Sequence, residues 1–198
     1  MSPSENIVAD YLRSVGLAPE RFPKAEVGKT RTPDFRVLQG GVLAFYCEVK
    51  NAQEDRWLDE QGKDAGPGTL YGGVRSDPIY NRVANYIHGA VGQFAAVNSD
   101  GQVPNVLAIV NEDRMAGFPD LRSVLTGNFY PVNGAPDPIF RNISEGRIRE
   151  DRFRIRLYLW FDAGRDKPHM VFSQSNPVHD SALCLYFGVK PEQINQFA

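Results

Sequence analysis

Cysteine is nearly absent: Cys47 and Cys184 are the only two among 198 residues, and neither belongs to a paired metal-ligand motif. A disulfide framework and a cysteine-built zinc site are therefore not expected. Both lie in apolar runs, as buried thiols do, and with no signal-like start this composition fits a reducing cytoplasm. Histidine is equally scarce, and His88, His169 and His179 share no ligand spacing. No serine stands in a nucleophile-elbow context, so a hydrolase triad has no support. No apolar run approaches the roughly 20 residues that cross a bilayer, which argues against a membrane partner. Positive charge is not in excess either: 22 Lys and Arg against 24 Asp and Glu give a net charge of −2 and a pI near 5.9. Any contact with a phosphate backbone must come from a local patch. Internal repeats, low-complexity tracts and linkers are missing, and 42% hydrophobic residues suffice for one substantial core, so residues 1–198 are expected to form a single domain.

What is present is well punctuated. Ser2 suits an N-cap, Pro3 a first helical position and Glu5 the third place of a capping box; Val8, Leu12 and Val15 then form a helical stripe ended by Gly16. A short strand is expected within residues 20–27. Asp34 to Gln39 and Val42 to Lys50 read as two strands joined by a tight Gly40-Gly41 turn. Residues 51–78 are polar and glycine-rich, the pattern of a long loop beside a site. Asp77-Pro78 opens a helix to about Asn98, and Val103 to Val110 is a buried-type strand. Residues 113–150 read as loop-rich, Arg152 to Phe161 as a long strand, His169 to Ser173 and Leu183 to Phe187 as two more, and Pro191 to Phe197 as a short closing helix.

The second strand of the hairpin carries the sharpest signal. Side chains alternate along a strand, so Glu48 and Lys50 share a face with Ala44 and Tyr46, while Leu43, Phe45, Cys47 and Val49 form a uniformly apolar face. Charged residues on so apolar a strand are costly to bury unless they are paired or hold an ion. Asp34, entered through Pro33, lies across the hairpin within reach of the same point. Two carboxylates and a lysine at adjacent strand ends suit a magnesium ion beside an attacking water. The plainer alternative is a surface ion-pair cluster.

Pro33-Asp34 and Glu48-Val49-Lys50, with the hairpin between them and a long helix after, resemble the PD-(D/E)XK nuclease superfamily, which has the restriction-endonuclease-like fold. The resemblance implies an α/β fold with an αβββαβ core over about residues 2–110 and a mixed central sheet flanked by helices. Residues 113–198 would add C-terminal strands to the same domain. It also implies a Mg²⁺-dependent endonuclease acting on DNA, with Mn²⁺ as a substitute metal and a homodimer as a possible assembly. Asp34, Glu48 and the Val49 carbonyl would ligate the metal, and Lys50 would orient or deprotonate the water. Glu5 on the first helix and Gln93 on the long helix occupy places where relatives carry site residues. For Glu5 the alternative is an ordinary capping box, and for Gln93 a solvated amide.

Arg152, Arg154 and Arg156 alternate with Phe153, Ile155 and Leu157, which suggests a strand with one basic face for a phosphate backbone. Its alternative is a solvated face balanced by Glu145, Glu150 and Asp151. Arg56, Lys63 and Arg75 in the glycine-rich loop, with Arg82 on the following helix, are further candidates. Val27-Gly28-Lys29-Thr30 is not a P-loop: Pro23 replaces the first glycine and a strand follows instead of a helix. The competing function is a non-catalytic module that uses the same fold to bind nucleic acid or protein.

Overall fold

The computed structural model of the chain describes residues 1–23, 31–53, 66, 68, 79–131, 135–139, 145–173, 177–190 and 196–197. Most of the expected glycine-rich loop, with Arg56, Lys63 and Arg75, lies outside the described residues, as do Asp77, Pro78 and Arg141.

Helix α1 (Pro3–Ser14) begins as its sequence dictates. The Ser2 hydroxyl accepts the Glu5 N–H at 3.2 Å, Pro3 fills the first turn, and Val8, Ala9 and Leu12 are buried. Strand β1 (Ala18–Arg21) precedes the hairpin of β2 (Phe35–Gln39) and β3 (Val42–Ala52). Gly40 and Gly41 turn it at φ +58° and +83°, the paired positive φ of the two-residue loops that match strand twist. Helix α2 (Ile79–Ala95) then crosses to β4 (Asn105–Asn111), which pairs with β3 in parallel. Among the described residues the elements of the first half follow in the expected order α-β-β-β-α-β.

The second half completes the sheet. After helix α3 (Phe118–Thr126), the small hairpin of β5 (Asn128–Phe129) and β6 (Asp137–Pro138), and the single-turn helices α4 (Glu145–Ile148) and α5 (Asp151–Arg154), strand β7 (Leu157–Asp162) lies parallel to β4. Strand β8 (His169–Ser173) is antiparallel to β7, and after helix α6 (Asp180–Phe187) the two-residue β9 (Gln196–Phe197) closes the order β1-β2-β3-β4-β7-β8-β9. The sheet is mixed and covered on both faces. Alternation along each strand feeds two cores: Phe35, Phe45, Cys47, Val106 and Phe161 pack with α1 and α6, whereas Leu107, Ile109, Tyr158 and Trp160 pack with α2 and α3. Both cysteines are free and buried. Among the described residues no helix is long and apolar enough to cross a membrane.

Several expectations are corrected. The loop-rich segment 113–150 also holds a helix: Pro119 sits in the first turn of α3, where a missing N–H costs nothing, and the Asp120 carboxylate accepts the Gly117 N–H at 2.8 Å. The expected strand from Arg152 is a helical turn first and a strand only from Leu157. Leu183 to Phe187 belongs to helix α6, ended by Gly188 at φ +63°; a short apolar run has no period that separates strand from buried helix. Gln196–Phe197 is a strand instead of helix, and 191–195 lie outside the described residues.

Candidate functional site

The hairpin brings the two carboxylates together. Phe35 pairs with Cys47 at the end of the β2–β3 ladder, so the same register places Asp34 opposite Glu48 and Pro33 opposite Val49. The Asp34 N–H donates to Glu48 Oε2 at 3.2 Å, and the Val49 N–H donates to Asp34 Oδ2 at 2.8 Å. Each carboxylate is thus held by the other strand's backbone. In an extended strand the N–H and C=O of one residue point to the same edge. The Val49 carbonyl therefore faces Pro33, which has no N–H to give it. A proline there leaves a backbone oxygen without its ladder donor beside two carboxylates.

Lys50 and Gln93 close the cluster. Glu48 is 2% exposed, and Lys50 Nζ donates to its Oε1 at 2.5 Å and to Gln93 Oε1 at 2.8 Å. Gln93 Nε2 donates to the Thr32 carbonyl at 3.1 Å, so the two contacts together fix the orientation of the amide. Helix α2 passes close above: a Cβ on Gly89 would stand 3.9 Å from Lys50 Nζ. The resemblance, with a solvated amide as its alternative, suggested Gln93 for this face; the Thr32 carbonyl that orients it carries no sequence signal.

The electrostatics are those of crowded, buried acids. Glu48 is pushed up to about 7, first by burial and then by the Asp34 charge, with Lys50 pulling the other way. Asp34 is raised by burial, opposed by the Val49 N–H, and raised again by Glu5. Cys47, on the opposite face, has its thiol pushed well up by burial and then by both carboxylates. Lys50 opposes the upward shifts of both Asp34 and Glu48.

Glu5 stands near enough to act on Asp34, and its carboxylate lies 3.3 Å from Arg21 without hydrogen-bond geometry, leaving Oε2 buried and unbonded. Its N–H donates to the Ser2 N-cap hydroxyl, and its carboxylate adds to the negative charge felt by Asp34. Among the described residues no group of three or more His, Cys, Asp or Glu is placed to hold a metal. The oxygens that the hairpin brings together at this site belong to the two carboxylates.

The predicted basic strand face does not exist. Arg152 donates to the Leu125 carbonyl at 2.7 Å and covers the Phe153 ring at 4.6 Å. Arg156 is 3% exposed and pairs with Asp180, while Tyr158 and Trp160 farther along are fully buried. Arg154 alone of the three is exposed. Arg82 is bound to Asp113 at 2.6 Å and to the Gln53 carbonyl at 3.1 Å, so it anchors the start of α2. A different cation lies on the site's own face: Arg36 pairs with Tyr46 across the hairpin and sits 4.4 Å over Phe22, which stacks on Tyr46 at 6.0 Å. The alternation that placed Glu48 beside Tyr46 was sufficient to find this group. The chain matches no family model, no curated protein and no solved structure.

Proposed function

We propose that the protein is a restriction-endonuclease-like, Mg²⁺-dependent endonuclease that hydrolyses phosphodiester bonds in DNA. The observation that carries this reading is the convergence of Asp34 and Glu48 at one strand end, bridged by the Val49 N–H and with Lys50 against Glu48. These are hard oxygen donors, and Mg²⁺ needs few of them because it keeps several waters. A glutamate held near 7 by burial and a neighbouring acid is a group that a divalent cation would relieve.

Asp34, Glu48 and the Val49 carbonyl would hold the ion. When bound, it would polarise the scissile phosphate and acidify a water. Lys50, steadied by Gln93, orients that water and faces the charge that develops on the phosphate. Glu5 adds a third negative group at the rim, and Arg36 with Tyr46 and Phe22 offers a cation and a ring to the nucleic-acid strand that passes beside the site.

Incubation of supercoiled plasmid with wild type, Glu48→Ala and Lys50→Ala, in Mg²⁺, Mn²⁺ or EDTA, tests this. Cutting should need the metal and fall at least about 100-fold in either variant, while DNA binding survives. Cutting that ignores EDTA would remove the mechanism. Binding without any cutting by wild type would favour a non-catalytic module.

A further inference from the structure

A second site lies away from the carboxylates. Register places Asn105 beside Tyr46 and Ile109 beside Lys50, so the start of β4 is about 13 Å along the strand from the lysine. There, at the C-terminal end of α2, a cavity of about 500 Å³ opens between α2, the Ser99–Val103 turn, α5 and the start of α6. That volume suits a small organic ligand and exceeds what a lone ion needs.

Its chemistry is specific. Arg156 is 3% exposed, and its Nε is buried with no hydrogen-bond partner among the described residues; the same is true of His179 Nε2. Both residues line the cavity, as does exposed Arg154, whose side chain has no partner among the described residues. The acidic groups nearby are largely engaged: His88 bonds Asp151, Arg156 pairs with Asp180, and the exposed Asp100 accepts the Gln102 N–H at 3.4 Å. Asn98 and Asn105 brace the wall, Asn98 donating to the Val103 carbonyl and to Asn105 Oδ1, and Asn105 to the Arg154 carbonyl. Apolar and aromatic lining comes from Val91, Phe94 and Phe153.

Guanidinium donors beside an exposed aromatic ring match an anion carried on a ring system. We propose that this cavity binds a nucleoside monophosphate, its phosphate held by Arg154, Arg156 and His179 and its base and sugar against Phe153 and Val91. Guanidinium groups suit phosphate oxygens by geometry as well as charge. The inference does not depend on the nuclease reading, since it uses none of the residues of that site.

Calorimetric titration of the full chain with dAMP in EDTA tests it, with deoxyadenosine and inorganic phosphate as the two halves of the ligand. dAMP should bind one per chain, with each half at least tenfold weaker. Arg154→Ala and His179→Phe should each weaken dAMP at least tenfold, and Lys50→Ala should leave it unchanged. Arg156 is left intact because its pairing with Asp180 supports the fold. Absent or non-saturating binding of dAMP, equal affinity for inorganic phosphate (an adventitious ion only), or undiminished affinity in both cavity variants would overturn the proposal. So would loss of binding in Lys50→Ala.

Discussion

Glu48 holds its proton far above the pH at which the unfolded chain releases it, and that difference has a sign. In the absence of metal its carboxyl titrates at about 7 in the fold against an ordinary 4.5, so between those values the native state binds more protons than the unfolded one. Stability then falls as pH rises through that window, by up to about 1.4 kcal/mol per pH unit, shared with Asp34 as a coupled pair. Glu48→Gln should flatten this slope and be more stable than wild type at pH 8 in EDTA. Urea unfolding at pH 5 and pH 8 measures it, and parallel shifts of the two proteins would refute it. Gln93→Ala belongs to the same scale. With Lys50 released from its amide partner, cutting should drop about tenfold or more while Mg²⁺ dependence stays the same, read from rate against metal concentration. Arg36→Ala should instead weaken DNA binding with little change in the rate at saturating DNA, read by fluorescence anisotropy and single-turnover cutting.

At the scale of elements, the β2–β3 hairpin does most of the positioning. Gly41 at φ +83° has open space around it, so Gly41→Ala meets a backbone penalty and no clash; a loss of about 1–2 kcal/mol is expected in urea unfolding. Pro33→Ala is more specific. It supplies an N–H opposite the Val49 carbonyl, and should raise the Mg²⁺ concentration for half-maximal cutting while stability changes by less than about 1 kcal/mol. The hairpin, α1, α2 and β4 were legible because local signals agreed: an N-cap with proline, a paired-glycine turn, an amphipathic face and a strictly alternating strand. The segment from Arg152 to Arg156 misled because alternating Arg and apolar residues satisfy a period of two without forming a strand. Its arginines are consumed by distant groups, the Leu125 carbonyl and Asp180, which a single sequence does not bring near. Helix α6 failed for another reason, since an unbroken apolar run has no period at all.

The whole molecule is a mixed sheet in which an antiparallel hairpin half meets a parallel half along β3 and β4. The carboxylates stand where β2 has ended and β3 continues, which opens the site at the edge of α2's cover. The long-range Arg156–Asp180 pair ties α6 to the start of β7 and is nearly dry. Arg156→Met leaves Asp180 unpaired and should cost about 3–5 kcal/mol, seen as a lower urea midpoint with an unchanged slope. Of the site, the sequence carried Asp34, Glu48 and Lys50 as residue types at readable spacings, and Gln93 only through the resemblance. It did not carry the Thr32 carbonyl, the Arg21–Glu5 contact or the enclosure that raises Glu48, since those arise only when separate elements pack. The most direct measurement of the central claim is calorimetric titration of the protein with Mn²⁺ and Mg²⁺ near pH 7, in two buffers of different ionisation heat. The expected result is saturable binding with proton release that disappears in Glu48→Gln; no binding, or equal binding and proton release in that variant, would contradict it.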